Sequence, residues 1–187
     1  MDKREKILAE AERLFSEKGY YGMGLTELLK ACGIPKGSFY YYFPDGKLQL
    51  IRETLDRAFH HMEGGIRYHL SQESTAPAAF ERMLLSHADG VEQGKHYASH
   101  FVAMIAIESV YLDPSVHEAC KRIYTAWQQL YESILMSFGY RQPAVHVKAQ
   151  LLFELIHGAM LTAWIRQDGA ELRQLAPVVA KLLEEKE

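Results

Sequence analysis

Apolar residues recur along the chain with the period of an α-helix, and no segment sustains the alternation of apolar and polar residues typical of an exposed β-strand. In residues 3–18 the apolar positions form one stripe, made of Ile7, Leu8, Ala11, Leu14 and Phe15. Further helical segments are predicted at about residues 25–32, 36–43, 47–70, 78–93, 98–112, 115–138, 144–166 and 171–184. The pattern therefore predicts an all-α chain of about nine helices.

Glycine and proline mark the breaks between the first helices. Gly19 ends the first one, Gly33-Ile34-Pro35 separates the second from the third, and Pro44-Asp45-Gly46 precedes the fourth. Two short helices joined by a three-residue turn that contains glycine are typical of a helix-turn-helix, here at about residues 24–43. We expect a domain boundary inside the long fourth helix, with a DNA-binding domain at residues 1–55 and a helical domain at residues 56–187.

Charge is distributed unevenly over the 187 residues, whose formal net charge is −3. Residues 1–52 hold nine Lys and Arg against seven Asp and Glu, so the N-terminal part is the better candidate to meet a polyanion. The most apolar window, residues 151–165, contains Glu154 and His157 and is shorter than the roughly 20 residues that a bilayer span needs. With only two cysteines and no signal peptide, we expect a soluble, cytoplasmic, reduced protein that binds no membrane.

The third helix opens with residue types that suit DNA recognition. In a helix-turn-helix the second helix enters the major groove with its N-terminal residues against the bases. Lys36 can reach phosphate or the acceptors of guanine, Gly37 allows close approach of the backbone, and Ser38 is a short donor and acceptor. We therefore expect the start of this helix to face DNA.

Five aromatic residues crowd the same helix. Phe39 and Phe43 are four residues apart, so they share a face and are predicted to pack inward against Leu14 and Leu28. The three consecutive tyrosines, residues 40–42, cover the remaining arc and cannot all be buried. They form either a rim that faces DNA or simply the edge of a small three-helix core.

The segment GYYGMGLTELLKACGIPKGSFYYYF, residues 19–43, resembles the DNA-binding domain of TetR/AcrR bacterial transcriptional regulators. The resemblance covers about residues 3–55 and consists of LF-x-x-x-G-Y, small-L-x-E-L and G-I-x-K-G-x-F-Y-x-Y-F in that order, and it is closest to the subgroup with K-G-S-F-Y-x-Y-F. It implies a transcriptional regulator whose DNA-contacting residues are Thr26, Lys36, Gly37, Ser38, Tyr40, Tyr41, Tyr42 and Lys47.

Two positions depart from the family pattern. Gly24 stands where a threonine or serine usually caps the second helix, and glycine offers no hydroxyl. The segment FPDGK has one residue more than the commoner F-x-x-K spacing before the lysine that binds phosphate in the family. The resemblance therefore carries less weight for Lys47 than for Lys36.

The C-terminal helices suggest a dimer. Eleven of the fifteen residues from 151 to 165 are apolar, and a helix that is apolar all round must be covered all round. A partner subunit is one cover; the alternative is a central helix in the core of a single chain. The residues predicted for a twofold interface between two such helices of each chain are Leu152, Ile156, Ala159, Ala163, Leu175, Val179 and Leu182.

Aromatic and polar residues in the same part of the chain suggest a small-molecule site. The candidates are Phe101, Met104, Glu108, Tyr124, Trp127, Tyr131, Phe153 and His157, although core packing alone also explains any one of them. We expect a planar hydrophobic inducer and a homodimeric repressor that releases an inverted-repeat operator when this ligand binds. The fourth helix would act as a stiff lever between ligand and DNA.

Other classes of function have weaker support in the sequence. A thiol-based redox sensor would use Cys120, and a helical ligand-binding or scaffolding protein without DNA activity would leave Lys36 and the tyrosines as plain surface. The nine histidines show no metal-ligand spacing, and no nucleophile triad or phosphate loop indicates an enzyme. We therefore expect no metal, no cofactor and no catalytic residue.

Overall fold

The computed structural model describes residues 2–95 and 97–184, in which every regular element is helical. In chain order the helices are α1 (Lys3–Gly22), α2 (Leu25–Cys32), α3 (Lys36–Tyr42), α4 (Lys47–Leu70), α5 (Ala76–Glu92), α6 (Ala98–Ser109), α7 (Pro114–Ser137), α8 (Ala144–Arg166) and α9 (Ala170–Leu182). The predicted all-α fold with about nine helices is confirmed.

Helix α1 contains one residue that is not helical. Gly19 has φ 69° and ψ −179°, a conformation that side-chain-bearing residues avoid, and the chain then resumes one further helical turn. The amide of Met23 closes that turn by donating to the carbonyl of Gly19 at 3.3 Å. Gly19 therefore breaks the first helix as predicted, but a short helical turn follows it before α2 begins.

The turn between α2 and α3 has the geometry that its glycine indicates. Gly33 is left-handed, with φ 65° and ψ 37°, and the amide of Ile34 donates to the carbonyl of Leu29 at 3.1 Å. This is a common glycine ending of a helix, and Pro35 then leads directly into α3. Gly24 occupies the N-cap of α2 without a side-chain bond. The helix-turn-helix geometry thus follows from the glycine and proline positions.

The helices pack into two units. The first contains residues 2–62 and 97–124, which are α1 to α3, the beginning of α4, α6 and the beginning of α7. The second contains residues 63–95 and 125–184, which are the remainder of α4 and α7 together with α5, α8 and α9. This division by packing differs from the division at residue 55, because α6 and the beginning of α7 join the helix-turn-helix.

The first unit has an aromatic core that joins α6 to the helix-turn-helix. Phe15 and Phe101 are fully buried with ring centres 6.3 Å apart, and Phe39 and Phe43 belong to the same cluster. Arg57 of α4 binds the carboxylates of Glu5 and Glu12 on α1. Burial raises the pKa of Glu12, and the charge of Arg57 opposes that effect. The core that buries Phe39 and Phe43 therefore also contains residues of α1, α4 and α6.

The second unit is built on α5, α8 and α9, and α5 and α9 approach closely. Gly169, at the N-cap of α9, lies so near α5 that a Cβ placed on it would be 2.8 Å from both Cβ and the carbonyl oxygen of Ala88. The hydroxyl of Tyr140 donates to the carbonyl of Leu183 at the other end of α9. Backbone contact at one end and a buried hydrogen bond at the other thus fix α9.

Candidate functional site

The aromatic residues of α3 divide between core and surface as the helical period predicts. Phe39 and Phe43 are fully buried, with ring centres 5.4 Å apart, in the cluster that contains Leu14 and Leu28. By contrast, Tyr41 is 80% exposed and Tyr40 is 42% exposed. Tyr42 is half-buried against the core. Two of the three tyrosines are therefore open to a partner.

The exposed side of α2 and α3 carries donors and small residues together. We call it the α2–α3 surface; its members are Thr26, Lys36, Gly37, Ser38, Tyr40 and Tyr41. All are exposed except Ser38, which is half-buried. The ammonium group of Lys36 lies 5.9 Å from the centre of the Tyr40 ring, a loose cation–π contact that leaves it accessible. A cation, hydroxyl groups and bare backbone on one surface suit a groove lined by phosphates.

Lys47 opens α4, but its ammonium group points into the first unit. It donates to the carbonyl oxygens of Tyr20 and Met23, at 2.6 Å from the latter, and lies 4.3 Å from the centre of the Tyr20 ring. Burial lowers the pKa of Lys47, an effect that the nearby carboxylate of Glu108 opposes. A phosphate contact would require the ammonium group to leave both carbonyls, so the structure favours a structural role for this lysine.

Replacing Lys47 with methionine tests that role. We expect the free energy of unfolding to fall by about 2 kcal/mol, because two carbonyls lose their donor. The slope of log affinity for DNA against log salt concentration should not change, whereas loss of a phosphate contact would reduce it by about 1. Thermal melts and salt titrations measure the two quantities, with Lys121→Met on exposed α7 as the matched control. A reduced slope without a loss of stability would show instead that Lys47 contacts a phosphate.

The eight residues predicted for a ligand site divide between the two units. Phe101, Met104, Glu108 and Tyr124 belong to the first, and Trp127, Tyr131, Phe153 and His157 belong to the second. Phe101 packs in the core against Phe15. Tyr124 is half-buried, and burial raises its pKa to about 12. We name the four members in the second unit the aromatic cluster.

The aromatic cluster is a tightly packed group of rings. The ring centres of Trp127 and Phe153 are each 4.0 Å from that of His157, and Nδ1 of His157 is 2.7 Å from the carbonyl oxygen of Phe153. Burial lowers the pKa of His157, so a neutral imidazole is favoured. Burial also raises the pKa of Tyr131. The cluster is thus a buried group of flat apolar rings with neutral polar atoms at their edges.

A groove lies elsewhere in the second unit. It has a volume of about 580 Å³ and is lined by Lys148, Pro177, Val178, Lys181 and Leu182. The ammonium group of Lys148 already donates to the carbonyl of Leu182 at 2.9 Å. None of the eight residues predicted for the ligand site lines this groove.

Glu108 has a different environment from the pocket wall predicted for it. Its carboxylate accepts a hydrogen bond from the amide of Tyr20 at 2.7 Å and lies against Gly19. Sequence reasoning missed this contact, because the two residues are 88 positions apart. The only signal was a glycine followed by helical residues at the end of α1, which indicates an amide in need of an acceptor.

Four of the seven residues predicted for a dimer interface are buried inside one chain. Leu152, Ala163 and Val179 are fully buried and Ile156 is 4% exposed, so they are core residues and cannot contact a partner. Ala159, Leu175 and Leu182 are half-buried. The exposed apolar side chains of the same two helices lie at other positions, namely Val147, Leu151, Leu155, Leu161, Ile165 and Val178.

Both cysteines are poor redox centres in this fold. Cys32 and Cys120 are free and buried, 4% and 3% exposed. Burial raises the pKa of each thiol, and a hydrogen bond with Ser109 only partly offsets this for Cys120. A reactive cysteine needs an accessible thiolate, so neither residue has the environment of a sensor.

The part of the chain that the structure describes holds no membrane span and no metal centre. No helix in it is both long and apolar enough to cross a bilayer. No group of three or more His, Cys, Asp or Glu residues within residues 2–95 and 97–184 is arranged to hold a metal ion.

Two family profiles match the chain. Residues 7–54 match the bacterial regulatory proteins of the tetR family, and residues 76–178 match the C-terminal domain of LmrA/YxaF-like transcriptional regulators. The chain belongs to the TetR family of transcriptional regulators. It is therefore a DNA-binding regulator of the helix-turn-helix type, and members of its family typically act as dimers on operator DNA.

Some relatives match over nearly the whole length, and one match covers a shorter stretch at higher identity. The HTH-type transcriptional regulator LmrA of Bacillus subtilis is 32% identical over 97% of both chains. The crystal structure of reduced NemR from Escherichia coli has a TM-score of 0.82 at 26% identity and covers 99% of both chains. NemR, described as a transcriptional repressor, is also 57% identical over a stretch of 42 residues, 22% of this chain.

Proposed function

We propose that this TetR-family regulator is a repressor, that it binds an inverted-repeat operator as a dimer, and that a small planar hydrophobic ligand releases it. The observation that carries the DNA-binding part is the α2–α3 surface, where Lys36 and Tyr41 stand exposed on a helix fixed from behind by buried Phe39 and Phe43. NemR, a relative described as a repressor, supports repression rather than activation. The K-G-S-F-Y-x-Y-F segment supports membership of the corresponding subgroup.

The residues of the α2–α3 surface divide by chemistry between positioning and reading. Tyr40, Tyr41 and half-buried Tyr42 offer hydroxyl groups that suit phosphate oxygens, which fix the register of the helix without reading sequence. Lys36 at the start of α3, Ser38 and Thr26 suit base edges or the adjoining backbone. Gly37 has open space around it, so α3 can approach the DNA backbone closely.

The dimer would form through the exposed face of α8 and α9. Leu151 and Leu155 lie four residues apart on α8, and Leu161, Ile165 and Val178 extend the exposed apolar surface. The cost of leaving such side chains in water favours their burial against a second copy. Two copies related by a twofold axis would recognise two half-sites about one helical turn apart.

The ligand would bind in the second unit beside the aromatic cluster. Flat ring walls with few polar groups favour a planar, largely apolar molecule. Helix α4 is continuous from Lys47, directly after the turn that follows α3, to Leu70 in the second unit. A ligand that prefers one orientation of α4 would shift the population of DNA-binding dimers accordingly. The burial of Cys120 disfavours the thiol-based alternative.

Selection of duplexes from random DNA by the wild-type protein tests this proposal. We expect an inverted repeat to be enriched, because a twofold dimer presents two equivalent α3 helices. For the enriched duplex, Lys36→Ala should weaken binding about tenfold and relax the sequence preference, as loss of a base contact does. Tyr41→Phe, which removes one hydroxyl, should weaken binding to all sequences by a similar factor.

Lys121→Ala is the matched control for Lys36→Ala, because it removes the same charge from exposed α7 in the same unit. The affinity of Lys121→Ala for the enriched duplex should stay within about twofold of wild type, because salt screens an exposed charge that makes no contact with DNA. Enrichment of no sequence, or equal affinity of Lys36→Ala and wild type, would refute the proposed surface. Enrichment of single half-sites would refute the dimer alone.

A further inference from the structure

A carboxylate from α6 caps the turn that joins α1 to α2. The positive φ of Gly19 interrupts α1, so the amide of Tyr20 starts a new helical turn without an acceptor from the preceding turn. Glu108, at the C-terminal end of α6, supplies that acceptor at 2.7 Å. A charged acceptor at the first amide of a helical turn is a strong cap, here provided from another helix.

The contact between Glu108 and Gly19 is also steric. A Cβ on Gly19 would collide with the carboxylate of Glu108, so the carboxylate occupies the space that a side chain at residue 19 would need. One further contact joins the end of α1 to the residues after α6: the hydroxyl of Tyr21 donates to the carbonyl of Tyr111 at 2.8 Å. Within α1, the ring of Tyr20 stacks on Phe15. Helix α6 and the end of α1 therefore fit one another in detail.

The backbone of Tyr20 then connects Glu108 to the start of α4. Its amide binds Glu108, while its carbonyl accepts from the ammonium group of Lys47. The carboxylate of Glu108 favours the charged form of Lys47 against the effect of burial. Lys47 is the first residue of α4 and follows the turn after α3. Two opposite charges thus hold the backbone of Tyr20 between the end of α6 and the start of α4.

We propose that Glu108 is a positioning residue for DNA recognition, which fixes the α1–α2 joint and, through Tyr20 and Lys47, the start of α4. Glu108 makes no contact with DNA in this scheme and acts only through the backbone it holds. The inference goes beyond the proposed function and rests on its DNA-binding part. It assigns to α6, a helix outside the helix-turn-helix in sequence, an indirect part in the geometry of α3.

Glu108→Gln and Glu108→Ala test the proposal on the full-length protein. The isosteric glutamine keeps an acceptor oxygen but loses the charge, so affinity for the duplex enriched by wild type should fall about tenfold, and the alanine variant should fall further. Hydrogen exchange of residues 19–23 should become faster in the same order. Glu118→Gln, an exposed Glu-to-Gln change on α7, should alter neither quantity.

Three outcomes would contradict the positioning role of Glu108. If Glu108→Gln binds like wild type, Glu108 serves only in packing and the inference fails. If affinity falls but exchange at residues 19–23 is unchanged, the effect does not pass through the Tyr20 joint and the inference also fails. If wild type itself enriches no DNA, the proposed function fails first, and the positioning role fails with it.

Discussion

Replacing Gly169 with valine should lower the free energy of unfolding by about 3 kcal/mol, the upper part of the range for overpacking in a closed site. A Cβ at this position would stand 2.8 Å from both Cβ and the carbonyl oxygen of Ala88, and 2.9 Å from its Cα. Two of these three atoms are backbone of α5, which cannot yield without moving the helix. The clash therefore separates α5 from α9.

Gly64→Val is the matched control for that prediction. Gly64 lies inside α4, is exposed, and has no neighbouring atom within 4 Å of an added Cβ. Its substitution should leave stability within about 0.5 kcal/mol of wild type, because valine is a slightly better helix former than glycine. Urea titrations measure both variants. Equal stability of the two would show that α5 and α9 are not in the close contact described.

Much of the fold was predictable because local chemistry determines it. Gly33 and Pro35 mark the turn between α2 and α3 whatever the rest of the chain does, and the spacing of Phe39 and Phe43 identifies the buried face of α3. The short turn after Gly19 was not predictable, because an acceptor 88 residues away completes it. Local patterns thus predicted the helices, whereas the joint between α1 and α2 depends on the distant carboxylate of Glu108.

The partner of each helix was the harder question. Helix α6 is apolar on most sides, which predicts burial but not against which helix, and Phe101 packs on Phe15 of α1. The same ambiguity affected the dimer residues. Helix α8 is apolar on most sides, so its pattern could not show that Leu152 faces the core while Leu151 stays exposed. A helix with one apolar face shows which side packs inward, whereas a helix that is apolar on all sides does not.

The exposure of Lys36, Tyr40 and Tyr41, which are predicted to contact DNA, could be predicted from the helical period of α3. The direction of the Lys47 side chain was not predictable, because its acceptors lie 27 and 24 positions earlier in the chain. A lysine close to the carbonyls of Tyr20 and Met23 finds two acceptors there, and its ammonium group turns inward.

The stability of the second unit should fall as the pH is lowered from 6.5 towards 4, and His87 should account for about 3 kcal/mol of that fall. Burial of the imidazole lowers its pKa from 6.5 to about 4; the positive charge of His69 acts in the same direction, and the carbonyl of Met83 opposes both. Between these two values the unfolded chain binds a proton that the folded chain does not, so acid favours unfolding. Below pH 4 both states are protonated and this contribution becomes constant.

His87→Gln measured by urea titration at pH 7, 6, 5 and 4 tests this account. Glutamine does not titrate, so the variant should lose about 3 kcal/mol less stability over this range than wild type, whatever its stability at pH 7. The slope that remains will include His157, whose pKa burial also lowers. If His87→Gln kept the wild-type slope, the imidazole would be protonated in the fold, and the contact with His69, at 6.3 Å between ring centres, would have to open in acid.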